Sequence, residues 1–302
     1  MTRAHLLVTG GSGYLGQWVT KLTRKDWDVT ATYLTHPLST PDIKGYALDL
    51  RDRAAVKKVI EACKPDVIIH TAAANPGPTP DYHGINVIGT QHIAQNAAAC
   101  GARLIHLSTD VIFNGKTGNY DEQALPTPIT DYGKSKAQAE TIIQTINDNF
   151  LIVRTSLIYG WHPHVDRHTR WILKGLQNQA PPRLFTDEMR CPIWVECLAS
   201  ALIELAKIPT TGILNVAGAQ ALSRYDFGAR LARFHGLDPK EIIGGRSAES
   251  GMHRPLDCTL NCAKARALLK TPLPGVDAVL CNDRENHAGT GQEIGKKERN
   301  IW

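Results

Sequence analysis

The stretch YGKSK sets a tyrosine, Tyr132, four residues ahead of a lysine, Lys136. On a helix these two share a face, whereas Lys134 points elsewhere. A tyrosine ordinarily titrates near 10, and bringing it toward neutral pH takes about 4 kcal/mol of differential stabilisation of the phenolate. A cation on the same face supplies part of that, so the pair is equipped to give a proton to, or take one from, a reacting oxygen. Tyrosine and lysine at this spacing also occur on ordinary helix surfaces, so the surrounding chain has to decide.

Upstream, STDVIFNG ends an apolar run with a hydroxyl, Thr109, and a carboxylate, Asp110. In an open α/β sheet the carboxyl ends of the strands are where ligands sit, which puts both groups where chemistry is done. A third cluster is TGGSGYLG, with Gly10, Gly13 and Gly16 directly after the first apolar run. Glycines at this place tighten a turn, let the backbone approach a pyrophosphate and let the next helix pack on the sheet, while free N–H groups at the helix start hold phosphate oxygens. Ser12 lies within the same loop.

The elements that must position these groups follow from periodicity. Short β-branched and aliphatic runs at 5–9, 28–33, 45–48, 66–70, 103–108 and 151–155 read as strands, and 14–25, 51–63, 82–100 and 132–148 read as helices. Strands alternating with helices predict an α/β fold, a Rossmann-type doubly wound parallel sheet. This dinucleotide-binding part spans 1–160 and is joined by a returning helix and strand at about 194–218. A smaller substrate-binding region takes 161–193 and 219–280, with a helix capped by Ser223 running through Phe234. The polar, Gly-rich stretch 281–302 reads as a mobile tail.

With 302 residues, 42% of them hydrophobic, the chain can bury a large core. A net charge of +5 without a long basic run mildly favours anionic small molecules and gives no nucleic-acid surface. Seven cysteines at irregular spacing form neither a disulfide framework nor paired CxxC zinc ligands. The opening MTRAHLLVTGG carries no signal-type apolar segment, and no run nears 18 apolar residues, so a cytoplasmic protein with no membrane partner is expected. The histidines of WHPHVDRH have zinc-compatible spacing but no supporting carboxylate or cysteine pattern, so no metal site is assigned.

Taken in order, TGGSGYLG, PDVIIHTAAA, INVIGT, LSTDVIFNG, PITDYGKSK, VRTSLIYG and RPLDCTL cover roughly residues 4–275. In these motifs the chain resembles the extended short-chain dehydrogenases/reductases, specifically the dTDP-4-dehydrorhamnose reductase-like branch. The resemblance implies NAD(P)H-dependent reduction of a nucleotide-linked 4-keto sugar. It makes Tyr132 the proton donor, Lys136 its activator and Thr109 the hydroxyl that holds the substrate oxygen, with Asp110 beside it. Dinucleotide contacts are expected from Gly10, Ser12, Gly13, Tyr14 and Gly16, then from Tyr33, Asp49 and Leu50, and finally from Ala72, Ala73 and Lys136. Asp49 is equally readable as an N-cap for the helix starting at 51. Asn75, Thr109 and Arg254 are the expected substrate contacts. Arg154, Arg167, Arg170, Arg183 and Arg190 are weaker diphosphate candidates, because only Arg254 matches a motif position of the family.

Val111 stands where a dehydratase of this superfamily typically carries a glutamate, which disfavours elimination. An epimerase remains open, as does a non-catalytic dinucleotide-binding protein resembling the methionine adenosyltransferase regulatory subunit. The expected partner is a nucleotide-diphosphate sugar, and a homodimer is left open. The cofactor is NADP or NAD. With no carboxylate between Val29 and His36 to repel a 2′-phosphate, NADPH should serve at least as well as NADH.

Overall fold

The computed structural model describes residues 3–288 apart from positions 41, 78 and 147, and side chains as far as Asp283. The chain alternates β1 (His5–Thr9), α1 (Tyr14–Thr23), β2 (Asp28–Tyr33), β3 (Lys44–Ala47), α2 (Arg53–Cys63), β4 (Val67–His70), α3 (Thr90–Cys100), β5 (Arg103–Thr109), α4 (Asp131–Ile146) and β6 (Phe150–Thr155). Beyond these lie β7 (Ile158–Tyr159), α5 (Arg167–Gln177), β8 (Arg183–Phe185), β9 (Met189–Arg190), β10 (Ile193–Trp194), α6 (Val195–Lys207) and β11 (Gly212–Asn215). The last elements are β12 (Leu222–Ser223), α7 (Arg224–Phe234), β13 (Ile243–Gly245), α8 (Ala263–Leu268) and α9 (Val276–Ala288).

Seven strands form one sheet in the order β11-β6-β5-β4-β1-β2-β3. Every pairing in it is parallel, and the order reverses beside β1, which leaves a crevice at the carboxyl ends of β1 and β4. The α/β sheet expected from the alternation is the one observed.

Strand side chains alternate between two cores, as a period of two requires. Leu6, Val8, Ile69, Ile105 and Val153 pack with Trp18 and Val19 of α1 and Leu198 and Leu202 of α6. Leu7, Ile68, Leu104 and Ile152 pack on the opposite face with Val56 and Ile60 of α2, Ile93 of α3 and Ile143 of α4. A third core joins Tyr159, Trp161, Ile172, Leu173, Phe227 and Leu231, together with Val276 and Val279 of α9. Ser223 caps α7 by accepting from Asp226 N at 2.9 Å, as its sequence position predicts.

Two readings need correction. The helix expected over 82–100 begins as a π-helical segment, Tyr82–Gly89, capped by Asp81, and becomes α-helical only from Thr90. Hydrophobic periodicity does not distinguish the two windings over eight residues. The tail expected from 281 starts inside α9, which runs to Ala288 because its apolar residues, Val276, Val279 and Leu280, dock into the third core. The remainder, 289–302, lies outside the described residues. Among the described residues, no helix is long and apolar enough to cross a membrane.

Candidate active site

The glycine loop closes against β4. Gly10 holds φ +72°, and a Cβ there would lie 2.8 Å from the Ala72 backbone, so the small residues of HTAAA let the two strand ends approach. The Gly13 amide donates to Gly10 O at 2.9 Å, and α1 starts directly behind with no side-chain cap. The N–H groups of that first turn are therefore left for an external acceptor. A Cβ on Gly16 would sit 2.1 Å from Gly10 O. The variant Gly16→Ala must push the loop off α1, and we expect dinucleotide affinity to weaken at least about tenfold in a fluorescence titration, as binding depends on that backbone position.

Two cavities share this loop. One, of about 230 Å³, is lined by Gly10, Ser12, Gly13, Tyr33, Leu34, Asp49, Leu50, Ala72, Ala73 and Asn75. The second, of about 530 Å³, is lined by Gly10, Gly13, Tyr14, Gly16 and Asn75 on one side and by Thr109, Asp110, Tyr132, Lys136 and Arg254 on the other. All the residues expected from the sequence to touch cofactor or substrate thus face one pair of adjoining spaces. A glycine cradle, an uncapped helix start and a flat, small-residue wall fit a dinucleotide.

Individual residues differ from the expectation. Asp49 does not cap a helix: Asp52 does so, accepting from Ala55 N at 2.9 Å, and α2 begins at Arg53. Asp49 instead binds Arg51 through both carboxylate oxygens, at 2.6 and 3.0 Å, and that guanidinium holds its carboxyl below the usual range. Tyr14 turns its hydroxyl to His162 O at 3.4 Å and meets the His164 ring edge-on, so it bridges the loop to the 161–166 segment.

Tyr132, Lys136, Glu140 and Ile143 form one stripe of α4 aimed at the sheet, while Lys134 is exposed and pairs with Asp131. Tyr132 and Thr109, the latter at the end of β5, line the same cavity. Burial, then the Asp110 carboxylate and Tyr82, push the Tyr132 phenol above its ordinary range. Lys136 does not offset this as expected from the sequence, because its ammonium lies 3.0 Å from His106 Nε2 on β5 instead of on the phenol. Burial brings Lys136 down to about 8, partly opposed by Glu140. Asp110 is raised by its own burial against the lowering effect of Arg190, and accepts from Ser156 at 2.6 Å.

The arginines sort by what already occupies them. Arg154 is buried against Glu140 at 2.8 Å, and Arg183 pairs with Glu249 at the surface. Arg170 donates to Val165 O at 2.8 Å. Arg190 gives its terminal nitrogens to the carbonyls of Met189, Leu256 and Pro255, with Nε 3.7 Å from Asp110, so it braces the cleft wall. Arg167, Arg224 and Arg254 line the larger cavity from α5, α7 and the 251–260 segment. Arg254 pairs with Glu188, Arg224 contacts the His168 ring, and Arg167 donates to Pro76 O at 3.0 Å. Burial, then neighbouring Arg190, lowers Arg224.

The family described as the RmlD substrate binding domain matches residues 4–280. The chain belongs to that family. Among relatives, a dTDP-4-dehydrorhamnose reductase of Aggregatibacter actinomycetemcomitans is 29% identical over 74% of this chain and 76% of its own. Methionine adenosyltransferase 2 subunit beta of Xenopus tropicalis is 28% identical over 85% and 80% respectively. Of solved structures, a hypothetical dTDP-4-dehydrorhamnose reductase from Sulfolobus tokodaii is 30% identical with a TM-score of 0.79, covering 91% of this chain and 98% of that one. The dTDP-4-dehydrorhamnose reductase of Yersinia enterocolitica, 25% identical, gives 0.75 over 93% and 98%.

Several residues of this RmlD-type cleft were missed from sequence. Asn86 accepts from Ala74 N at 2.7 Å and donates to Ala74 O and Ser135 Oγ, tying the HTAAAN turn to α4. Its place in INVIGT was the available signal. Tyr82, whose ring lies 5.7 Å from that of Tyr132, and Glu188 and Arg224 had no local signal, since their partners are distant in sequence.

Proposed function

We propose that the protein is an NAD(P)H-dependent reductase of a nucleotide-linked 4-keto sugar, with Tyr132 as proton donor. The observation that carries this reading is that the uncapped glycine cradle, Tyr132 and Thr109 line the same space. Family membership and the similarity to reductases of dTDP-4-dehydrorhamnose support it.

When bound, the reduced nicotinamide supplies a hydride to the carbonyl carbon. The chain does the rest. Tyr132 donates its phenol proton to the carbonyl oxygen, and the Thr109 hydroxyl holds that oxygen as charge develops. A raised phenol suits a group that must be protonated before turnover, and the Lys136 ammonium, one turn further along α4, would hold the nicotinamide ribose. Arg167, Arg224 and Arg254, from the smaller region 161–193 and 219–280, bind the diphosphate. Burial of the cleft floor excludes water from the transfer.

The end of β2 sets cofactor choice. Tyr33, Leu34 and Thr35 line the smaller space with Ser12, and Asp49 there is offset by Arg51. NADPH should therefore serve at least as well as NADH, and a kcat/KM preference for NADH above about tenfold, or 1.4 kcal/mol, would contradict this.

Similarity to methionine adenosyltransferase 2 subunit beta favours a second reading, a dinucleotide-binding regulatory subunit. Following NAD(P)H oxidation with a panel of nucleotide-linked 4-keto sugars separates the two. Turnover of one of them is expected; no turnover of any, together with a partner protein retained through purification, would replace the first reading with the second.

A further inference from the structure

His106 is a fully buried imidazole outside the set of residues so far given a role. Its position follows from strand phase: Leu104 and His106 point to the same face of β5, the one covered by α4. Cross-strand register puts His70 beside it on β4, with ring centroids 5.1 Å apart. His70 is in turn fixed by Thr9 Oγ1 at 2.6 Å and Thr90 Oγ1 at 3.1 Å. Facing His106 across this layer is the Lys136 ammonium, 3.0 Å from Nε2.

The groups around Lys136 leave few alternatives. On α4 itself, Glu140 is engaged by Arg154 of β6 through both oxygens and by Ser108 of β5 at 2.5 Å. Tyr132, one turn away toward the cleft, lines the cavity with Thr109, and Asp110 is bonded to Ser156 and near Arg190. Asn86 of the π-helical segment is taken up by Ala74 and Ser135. An ammonium only donates, so His106 must present a bare Nε2 and carry its proton on Nδ1. Nδ1 is buried with no hydrogen-bond partner. Burial, then Lys136 and His70, keep the ring neutral. Leaving a buried N–H unpaired is unfavourable, and the arrangement that compensates for it is the contact on the other nitrogen.

We propose that His106 is a positioning residue for Lys136, whose neutral imidazole accepts a hydrogen bond from the ammonium and so holds the lysine charged and in place beneath Tyr132. This rests on the reading of Tyr132 and Lys136 given above, but the contact itself is testable without turnover. Hydrogen bonding to the charged form favours that form, so removing the acceptor must drive the Lys136 titration down, while a purely space-filling histidine would leave it unmoved.

The experiment follows the Lys136 side-chain methylene by carbon NMR in the whole protein against pH, with the resonance assigned by its loss in Lys136→Met. Wild type should titrate near 8. His106→Gln, whose amide oxygen reaches the Nε2 position, should stay within about 0.3 of that, whereas His106→Asn, polar but too short, should fall by about 1 or more, a tenfold loss of the charged form above its midpoint. Dinucleotide affinity measured at about pH 7.5 should follow the same order. An unmoved Lys136 titration in His106→Asn, or equal shifts in both variants, would overturn the proposal. No sugar reduction by wild type, with the variants shifted in the order given, would instead count against the functional reading alone.

Discussion

Tyr132→Phe is expected to lose about 10² to 10⁴ in kcat, the usual contribution of a positioned general acid. The ring stays packed near Tyr82, 5.7 Å away, and keeps its place on the sheet-facing stripe of α4. What disappears is the phenolic hydroxyl that the proposed mechanism uses as its proton source. In the proposed arrangement the glycine loop and Lys136 hold the dinucleotide, so its dissociation constant should change by less than about threefold and the loss fall on kcat and not on cofactor binding. Steady-state kinetics beside a fluorescence titration separate these quantities. Turnover within about threefold of wild type would remove Tyr132 from the mechanism.

The largest stability effect is expected at the Glu140–Arg154 pair, whose side chains are 1% and 2% exposed. Glu140 anchors the far end of the Tyr132 stripe to β5 and β6, accepting from Ser108 and from three Arg154 contacts at 2.8–3.2 Å. Replacing Arg154 with Met keeps most of the volume but strands a carboxylate in the core, at a cost of about 3–5 kcal/mol. Urea unfolding should show the midpoint falling accordingly. Adding Glu140→Leu removes the stranded charge, and the double variant should regain about half of the loss, because an apolar pair of similar volume often replaces a buried ion pair at little cost. A double variant no more stable than Arg154→Met would show that the carbonyls of Glu122 and Ala124, also bonded by Arg154, dominate instead.

This pair marks a limit of reading from sequence. Arg154 lies in VRTSLIYG and looks like a phosphate ligand, but strand phase turns it inward to a glutamate on the preceding helix, α4. Arg190 is similar: its guanidinium is used up on backbone carbonyls brought to it by the 251–260 segment. An arginine's role depends on which acceptors reach it first, and those acceptors are non-local.

What the sequence by itself determined is whatever depends on local periodicity and short-range geometry. The alternation of apolar runs gave the parallel sheet, Gly10 and Gly16 marked a turn that side chains would obstruct, and the four-residue step put Tyr132 and Lys136, not Lys134, on one side of α4 lining the cavity. Only the tertiary structure decided where the charges end. It paired Asp49 with Arg51, directed Lys136 to His106, raised the Tyr132 phenol by burial beside Asp110, and brought Arg167, Arg224 and Arg254 from separate helices and loops to one cavity. Burial and through-space charge set these properties, and neither is a function of distance along the chain.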